Sequence, residues 1–244
     1  GDFVAVVADG YWQAQMALNM VEPRYSRTEG DGLDSAKLSA RFAKALDDAG
    51  DTGGTSLAKE GDAPGTFTGA AKKVVAEYKV PFVAHAAMEP INCTAWVHDG
   101  KCEIWTSTQV PLMARSAVAK ALEISNDDVT VNQLYLGGAF GRRLESDYPV
   151  QAARVAKATG YPIKMIWSRE EDTRQDFYRP ADTSRFWGGL DGSGKPVSWN
   201  NAFTQLNGPD GSWDVAQYDI PNRSIRHAPA DMHLRFGSLR SVDH

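Results

Sequence analysis

Cysteine is scarce: the 244 residues contain two, Cys93 and Cys102. That excludes a disulfide scaffold and a cluster held by four thiolates of this chain. The pair flanks an apparent hairpin turn, His98-Asp99-Gly100-Lys101, whose register sets Cys102 against Val97 and Cys93 against Thr106. A cross-strand disulfide is therefore not expected, and each thiol reads as a small buried apolar side chain. Basic charge is also short. Lysine and arginine number 26 against 31 acidic residues, a net charge of -5, so a general nucleic-acid or membrane-surface role has no compositional support. No apolar run is long enough to span a bilayer, and no signal peptide is visible.

What is present suits a folded protein: 42% hydrophobic and 23% charged residues, enough for one large domain or two small ones. The chain reads as a piece of something longer. It enters the strand-like run Val4 to Val7 almost at once and stops at Ser241-Val242-Asp243-His244 with no closing element.

Periodicity predicts a helix from Tyr11 to Met20, with Trp12 and Met16 on one face, ended by Pro23. A second helix starts at Asp34 or Ser35, carries Leu38, Phe42, Ala45, Leu46 and Ala49, and ends at Gly50. Residues 51–69 are rich in Gly, Thr, Asp and Pro and read as a linker, or as a surface loop within one domain. A strand from Val74 to Tyr78 follows, then the hairpin of Thr94 to Val97 and Cys102 to Thr106. Next come a helix from Leu112 to Glu123, a strand-like run from Val129 to Tyr135, a helix from Asp147 to Thr159 and a strand from Ile163 to Trp167. Phe186 to Leu190 and Val197 to Phe203 make a second hairpin, and after Gln205 the pattern fades into loops. Strands and helices mix without strict alternation, so the class is α+β.

The stretch Gly137-Gly138-Ala139-Phe140-Gly141-Arg142-Arg143 joins a strand to a helix. Glycines there let backbone N–H groups approach an anion, and the arginines add charge suited to a phosphate or carboxylate. Pairing with Glu145 or Asp147 would account for the same arginines. His85 and Glu89 share a helical spacing of four, but Pro90 argues against a helix, and no further His or Cys completes a zinc set. His227 and His233 fare no better as ligands. Arg169-Glu170-Glu171-Asp172 reads as a solvated helix start.

Several motifs in order resemble the large, molybdenum-binding subunit of the xanthine oxidase-type molybdenum hydroxylases. The nearest branch is that of isoquinoline 1-oxidoreductase beta subunits and bacterial aldehyde dehydrogenase large subunits. The residues that carry it are Val4 to Asp9 with Tyr11 to Ala14; His85 to Pro90 with Asn92 to Ala95; Ser107-Thr108-Gln109; Gly137 to Arg143; Ser168 to Asp172; Tyr218 to Asn222; and Leu239 to Val242. The resemblance implies the end of a hammerhead-like α/β domain and a following helix in 1–50, a linker or loop in 51–69, and the first part of a molybdopterin-binding domain in 70–244. It implies a molybdenum–pyranopterin, in the cytosine dinucleotide form, with a side-chain amide donor at Gln109 and a cofactor loop at Gly138, Ala139, Phe140, Gly141 and Arg142. Within that loop Gly141 N–H faces the cofactor and Phe140 walls a substrate cavity. Arg240 matches a cofactor-side arginine, with Arg235 as the alternative. Leu144 stands where the xanthine-oxidising branch has its substrate-binding glutamate, which favours aldehydes or N-heterocycles over purines.

The implied reaction uses water as the oxygen source, with a base glutamate in a segment downstream of this chain. The fragment is thus expected to be inactive and to lack the cofactor by itself. Implied partners are the remainder of the subunit, a small 2Fe–2S electron-transfer subunit and a small-molecule substrate, with no nucleic acid. The implied setting is bacterial, periplasmic or cytoplasmic, with the periplasm favoured. Two other classes remain at this point. One is a nucleotide- or phosphate-binding enzyme using the Gly137 loop, although that loop lacks the usual G-x-G-x-x-G spacing. The other is a noncatalytic interaction domain docking through its seven tryptophans.

Overall fold

In the computed structural model, residues 3–26, 30, 32–205, 218–230 and 234–239 are described. They form two compact units, one built on Ala84–Tyr178 with the described residues of 1–26 and 237–240, the other on the remainder.

The first unit grows from the Cys93/Cys102 hairpin. Strands β3 (Asn92–His98) and β4 (Lys101–Thr106) are joined at Asp99-Gly100, both at positive φ (48° and 76°), which matches the right-handed strand twist. Val97 pairs with Cys102 as the sequence predicts, and Cys93 pairs with Met165 on the far strand. Both thiols are free and buried. Strand β5 (Val129–Gln133) lies parallel to β4 and β6 (Ile163–Ile166) antiparallel to β3, giving the order β5-β4-β3-β6. The parallel pair requires a crossover, which is supplied by α4 (Pro111–Leu122). Helix α5 (Asp147–Thr159) packs on β3 and on α4. Their small residues let helix and sheet approach: Val118, Ala119, Ala152, Ala153 and Ala156 are buried against Ile91, Ala95 and Ile104. Short helix α6 (Arg169–Arg174) starts where Ser168 accepts the Glu171 N–H.

The second unit is a five-stranded sheet in the order β1 (Thr55–Glu60), β9 (Asn222–His227), β8, β7, β2. Strands β2 (Lys72–Val80), β7 (Asp182–Leu190) and β8 (Pro196–Gln205) pair antiparallel side by side. Helix α2 (Ser35–Ala49) is capped by Asp34, which accepts the Lys37 N–H, and it buries Leu38, Phe42 and Leu46. It ends at Gly50, and the buried residues Leu46, Ala202 and Ala228 form the centre of this core.

The structure departs from the sequence reading in three places. The stretch 51–69 contains β1 (Thr55–Glu60) and α3 (Ala63–Gly69). Beyond Gln205 lies β9 (Asn222–His227), parallel to β8 and paired to β1. Both strands are polar in sequence, so no alternation marks them; backbone pairing makes them strands. Val4 to Val7 joins no sheet among the described residues, and α1 (Tyr11–Leu18) buries none of its residues, with Trp12 71% exposed.

Candidate functional site

In the first unit the ends of β4 and β5 lie side by side, because the two strands are parallel neighbours. The chain leaving β4 runs through Ser107-Thr108-Gln109 into α4, and Leu134 N–H donates to Thr106 O at 2.9 Å. The chain leaving β5 runs through exposed Leu134, Tyr135 and Leu136 into the glycine loop.

Gln109 and the loop meet directly. The Gly141 N–H donates to Gln109 Oε1 at 3.1 Å, and Gln109 N–H donates to Arg143 O at 3.0 Å. Both ends of Gln109 are thus fixed, with Nε2 left as a donor that has no partner among the described residues. This corrects one expectation: the Gly141 N–H serves the glutamine. Gly141 is required for another reason. Its φ is +108°, and a β-carbon there would overlap the Ser238 carbonyl. Phe140 sits at φ 56°, an uncommon conformation for a bulky residue, and is 42% exposed. It is no core phenylalanine. Gly138 O accepts from Arg143 Nε, and Ala139 O accepts from Arg142 N–H.

The two arginines point inward. Arg142 is 2% exposed and forks onto Asp147, with Nη1 and Nη2 each 2.9 Å from a carboxylate oxygen. Its Nε lies 3.1 Å from Asp176 Oδ1, an ion pair without hydrogen-bond alignment. The guanidinium lies over the rings of Trp167 and Phe177. Arg143, 0% exposed, donates to Gly138 O, Ser107 O, Glu89 O and Glu89 Oε2. The expected phosphate or carboxylate of a ligand is thus replaced by the protein's own acceptors. The cause is desolvation, since a buried guanidinium must be paired. Asp147 was an anticipated partner; Glu89 and Asp176 were not.

His85 and Glu89 do not converge. Glu89 turns to Arg143, the Gly137 N–H (3.0 Å) and Asn92, and these donors hold its carboxyl below the ordinary range despite the opposing effect of burial. His85 turns the other way, to Asp176 and Ser238. No group of three or more metal-ligating side chains occurs among the described residues. Arg240 and His233 lie outside the described residues, and Arg235 is engaged within the chain. Tyr148, whose hydroxyl donates to Ser107 O at 2.7 Å, is a further support of the Gln109 strand end that its sequence position does not announce.

The molybdopterin cofactor-binding domain family matches residues 49–228. The chain belongs to this family, that of the molybdenum-binding subunits of the xanthine oxidase type. The aldehyde oxidoreductase molybdenum-binding subunit of Escherichia coli (strain K12) is 31% identical over 238 residues, covering 96% of this chain and 31% of that protein. Isoquinoline 1-oxidoreductase subunit beta of Brevundimonas diminuta is 39% identical over 106 residues, covering 43% of this chain and 14% of that protein. The solved structure of quinoline 2-oxidoreductase from Pseudomonas putida 86 superposes with a TM-score of 0.74 at 20% identity, over 97% of this chain and 32% of that one. The α+β class with two mixed sheets is therefore that of the molybdenum hydroxylase subunits. The chain spans about a third of the length of the first of these relatives, 31%. Among the described residues no helix is long and apolar enough to cross a membrane.

Proposed function

We propose that this chain supplies one wall of a molybdenum–pyranopterin site in an oxidoreductase acting on an aldehyde or an N-heterocycle. The observation that carries the reading is the half-used carboxamide of Gln109: Oε1 is pinned by Gly141 N–H, and Nε2 is presented from an exposed side chain. A neutral donor held in this way suits an oxygen of the cofactor without adding charge. Exposed Phe140, next in the chain to Gly141, supplies an apolar surface for a planar substrate. The backbone at Gly138 and Ala139 is the remaining candidate contact, since the Arg142 side chain is spent on Asp147 and Asp176.

The cofactor, taken to be of the cytosine dinucleotide form, would supply the two-electron oxidising centre for placing oxygen from water on carbon. Gln109 binds and orients it, the Gly137–Arg143 loop keeps that amide in place, and Phe140 excludes water from one side. Leu144 replaces the substrate-binding glutamate of the xanthine-oxidising branch and supports a less polar substrate. The base glutamate belongs to a part of the subunit that this chain does not include, so the chain alone is inactive and cofactor-free. The partner that would take the electrons is a small 2Fe–2S subunit, in a periplasmic setting.

The test is Gln109→Glu in the complete molybdenum subunit with its electron-transfer partner. Aldehyde turnover is expected to fall on the order of a hundredfold or more. Undiminished turnover would remove Gln109 from the site.

A further inference from the structure

We infer that His85 is a doubly donating imidazolium that positions the Ser238 segment across Gly141. Its ring is buried between two acceptors. Nδ1 lies 2.9 Å from Asp176 Oδ1, and Nε2 lies 3.0 Å from the Ser238 carbonyl oxygen. A carbonyl oxygen can only accept, so Nε2 must carry a proton.

Asp176 must then be asked whether it supplies the second proton itself. It does not. Its Oδ1 also accepts the Phe177 N–H at 2.7 Å and lies 3.1 Å from Arg142 Nε, and its Oδ2 accepts the His85 backbone N–H at 2.6 Å. Two backbone N–H groups and the Arg142 cation face it, so the carboxylate is ionised and Nδ1 must donate as well. A neutral imidazole offers one donor and would set a lone pair against an acceptor on the other side. The side chains of His85 and Asp176 are 1% and 2% exposed, so no water is at hand to relieve that mismatch.

The charges around the ring agree. Asp176 faces it directly, Arg142 lies behind Asp176, and Asp147 and Asp172 lie around Arg142. Glu145 also feels the His85 charge. Burial and Arg142 oppose the imidazolium, but Asp176 and the Ser238 carbonyl outweigh them, and the pKa of His85 is raised. A raised histidine pKa gives stabilisation that is fully present below the unfolded-state value and is lost as pH rises through the folded-state value. The clamp therefore releases on the alkaline side.

What it holds is specific. The Ser238 carbonyl occupies the space where residue 141 would carry a β-carbon, and the neighbouring Gly237 N–H donates to Tyr178 O at 3.1 Å. Gly141 in turn holds Gln109. His85, Ser238, Gly141 and Gln109 thus form one continuous line of contacts. The inference concerns the chain's own geometry and holds whether or not the Gln109 amide meets a cofactor.

Histidine-selective 15N NMR on the intact protein tests it, together with hydrogen exchange at the Gly237 amide across a pH series. Both His85 ring nitrogens are expected to be protonated at neutral pH. Exchange protection of Gly237 should fall about tenfold or more as the ring deprotonates. In His85→Gln, which can donate to Ser238 but cannot titrate, that pH step should vanish. A neutral His85 ring at neutral pH, a Gly237 protection that ignores the ring's titration, or a wild-type step retained in His85→Gln would each overturn the assignment. The wild-type measurements suffice if the variant does not fold.

Discussion

The backbone N–H of Gly141 and the side-chain oxygen of Gln109 are joined at 3.1 Å, although 32 residues separate them. That bond turns an exposed glutamine into an oriented one. It also ties the glycine loop to the end of the strand that carries Gln109. Oxygen and nitrogen of the carboxamide have different tasks here, which substitution can separate.

Gln109→Glu keeps an oxygen for Gly141 and removes the outward donor; Gln109→Ala removes both. Global stability of the glutamate variant should stay within about 0.5 kcal/mol of wild type, as for surface changes generally. The alanine variant should lose about 1 kcal/mol, the size of one hydrogen bond. Chemical denaturation of the two side by side measures the difference.

Gly141→Ala places a β-carbon on the Ser238 carbonyl at a positive φ. Neither neighbour is the end of a flexible side chain, so backbone must shift. A loss of at least about 2 kcal/mol is expected, with increased proteolysis around 237–239. A crystal structure or a melting curve indistinguishable from wild type would contradict it.

Arg143 and Glu89 should respond unequally. Arg143→Met takes one donor from the Glu89 carboxylate, which keeps Gly137 N–H and Asn92, and strands three carbonyl oxygens, so about 3 kcal/mol should be lost. Glu89 is 34% exposed at its side chain, and Glu89→Gln keeps an acceptor, so a loss nearer 1 kcal/mol is expected. A double-mutant cycle on unfolding free energies gives the coupling.

Asp182, in β7, has its pKa pushed up to about 6 by burial, against the opposing pull of Ser184 and Arg179. Its carboxylate therefore costs stability above that pH, and the cost disappears as pH falls toward the ordinary carboxylate range. Asp182→Asn should raise the melting temperature at about pH 7.5 and leave it unchanged near pH 4. Equal shifts at both pH values would exclude the ionisation as the cause.

The thiols should be inert in the folded state. Burial pushes Cys93 up to about 12 and Cys102 up to about 11. Alkylation by iodoacetamide at mild alkaline pH should label neither until denaturant is added, and oxidant should not join them, because register pairs Cys102 with Val97. Mass spectrometry reads both outcomes.

The sequence alone carried the local elements and the family. Helix α2 was legible from Asp34 to Gly50 because caps and the 3.6-residue period act within a few residues. The β3–β4 register followed from a two-residue turn, and β5, the glycine loop and α5 appear in the predicted order. Strands β1 and β9 were hidden, since their polar side chains leave no pattern and their strand character comes from partners distant in the chain. The arginines were visible as charges, but their partners were not. Asp176 lies 91 residues from His85, and Glu89 lies 54 from Arg143. A charge declares what it can bind; burial then obliges it to bind something, and the tertiary fold supplied Asp147, Asp176 and Glu89 from within. That is why Arg142 and Arg143 ended as anchors of the loop, and why Gln109, held by Gly141, is the group left facing outward.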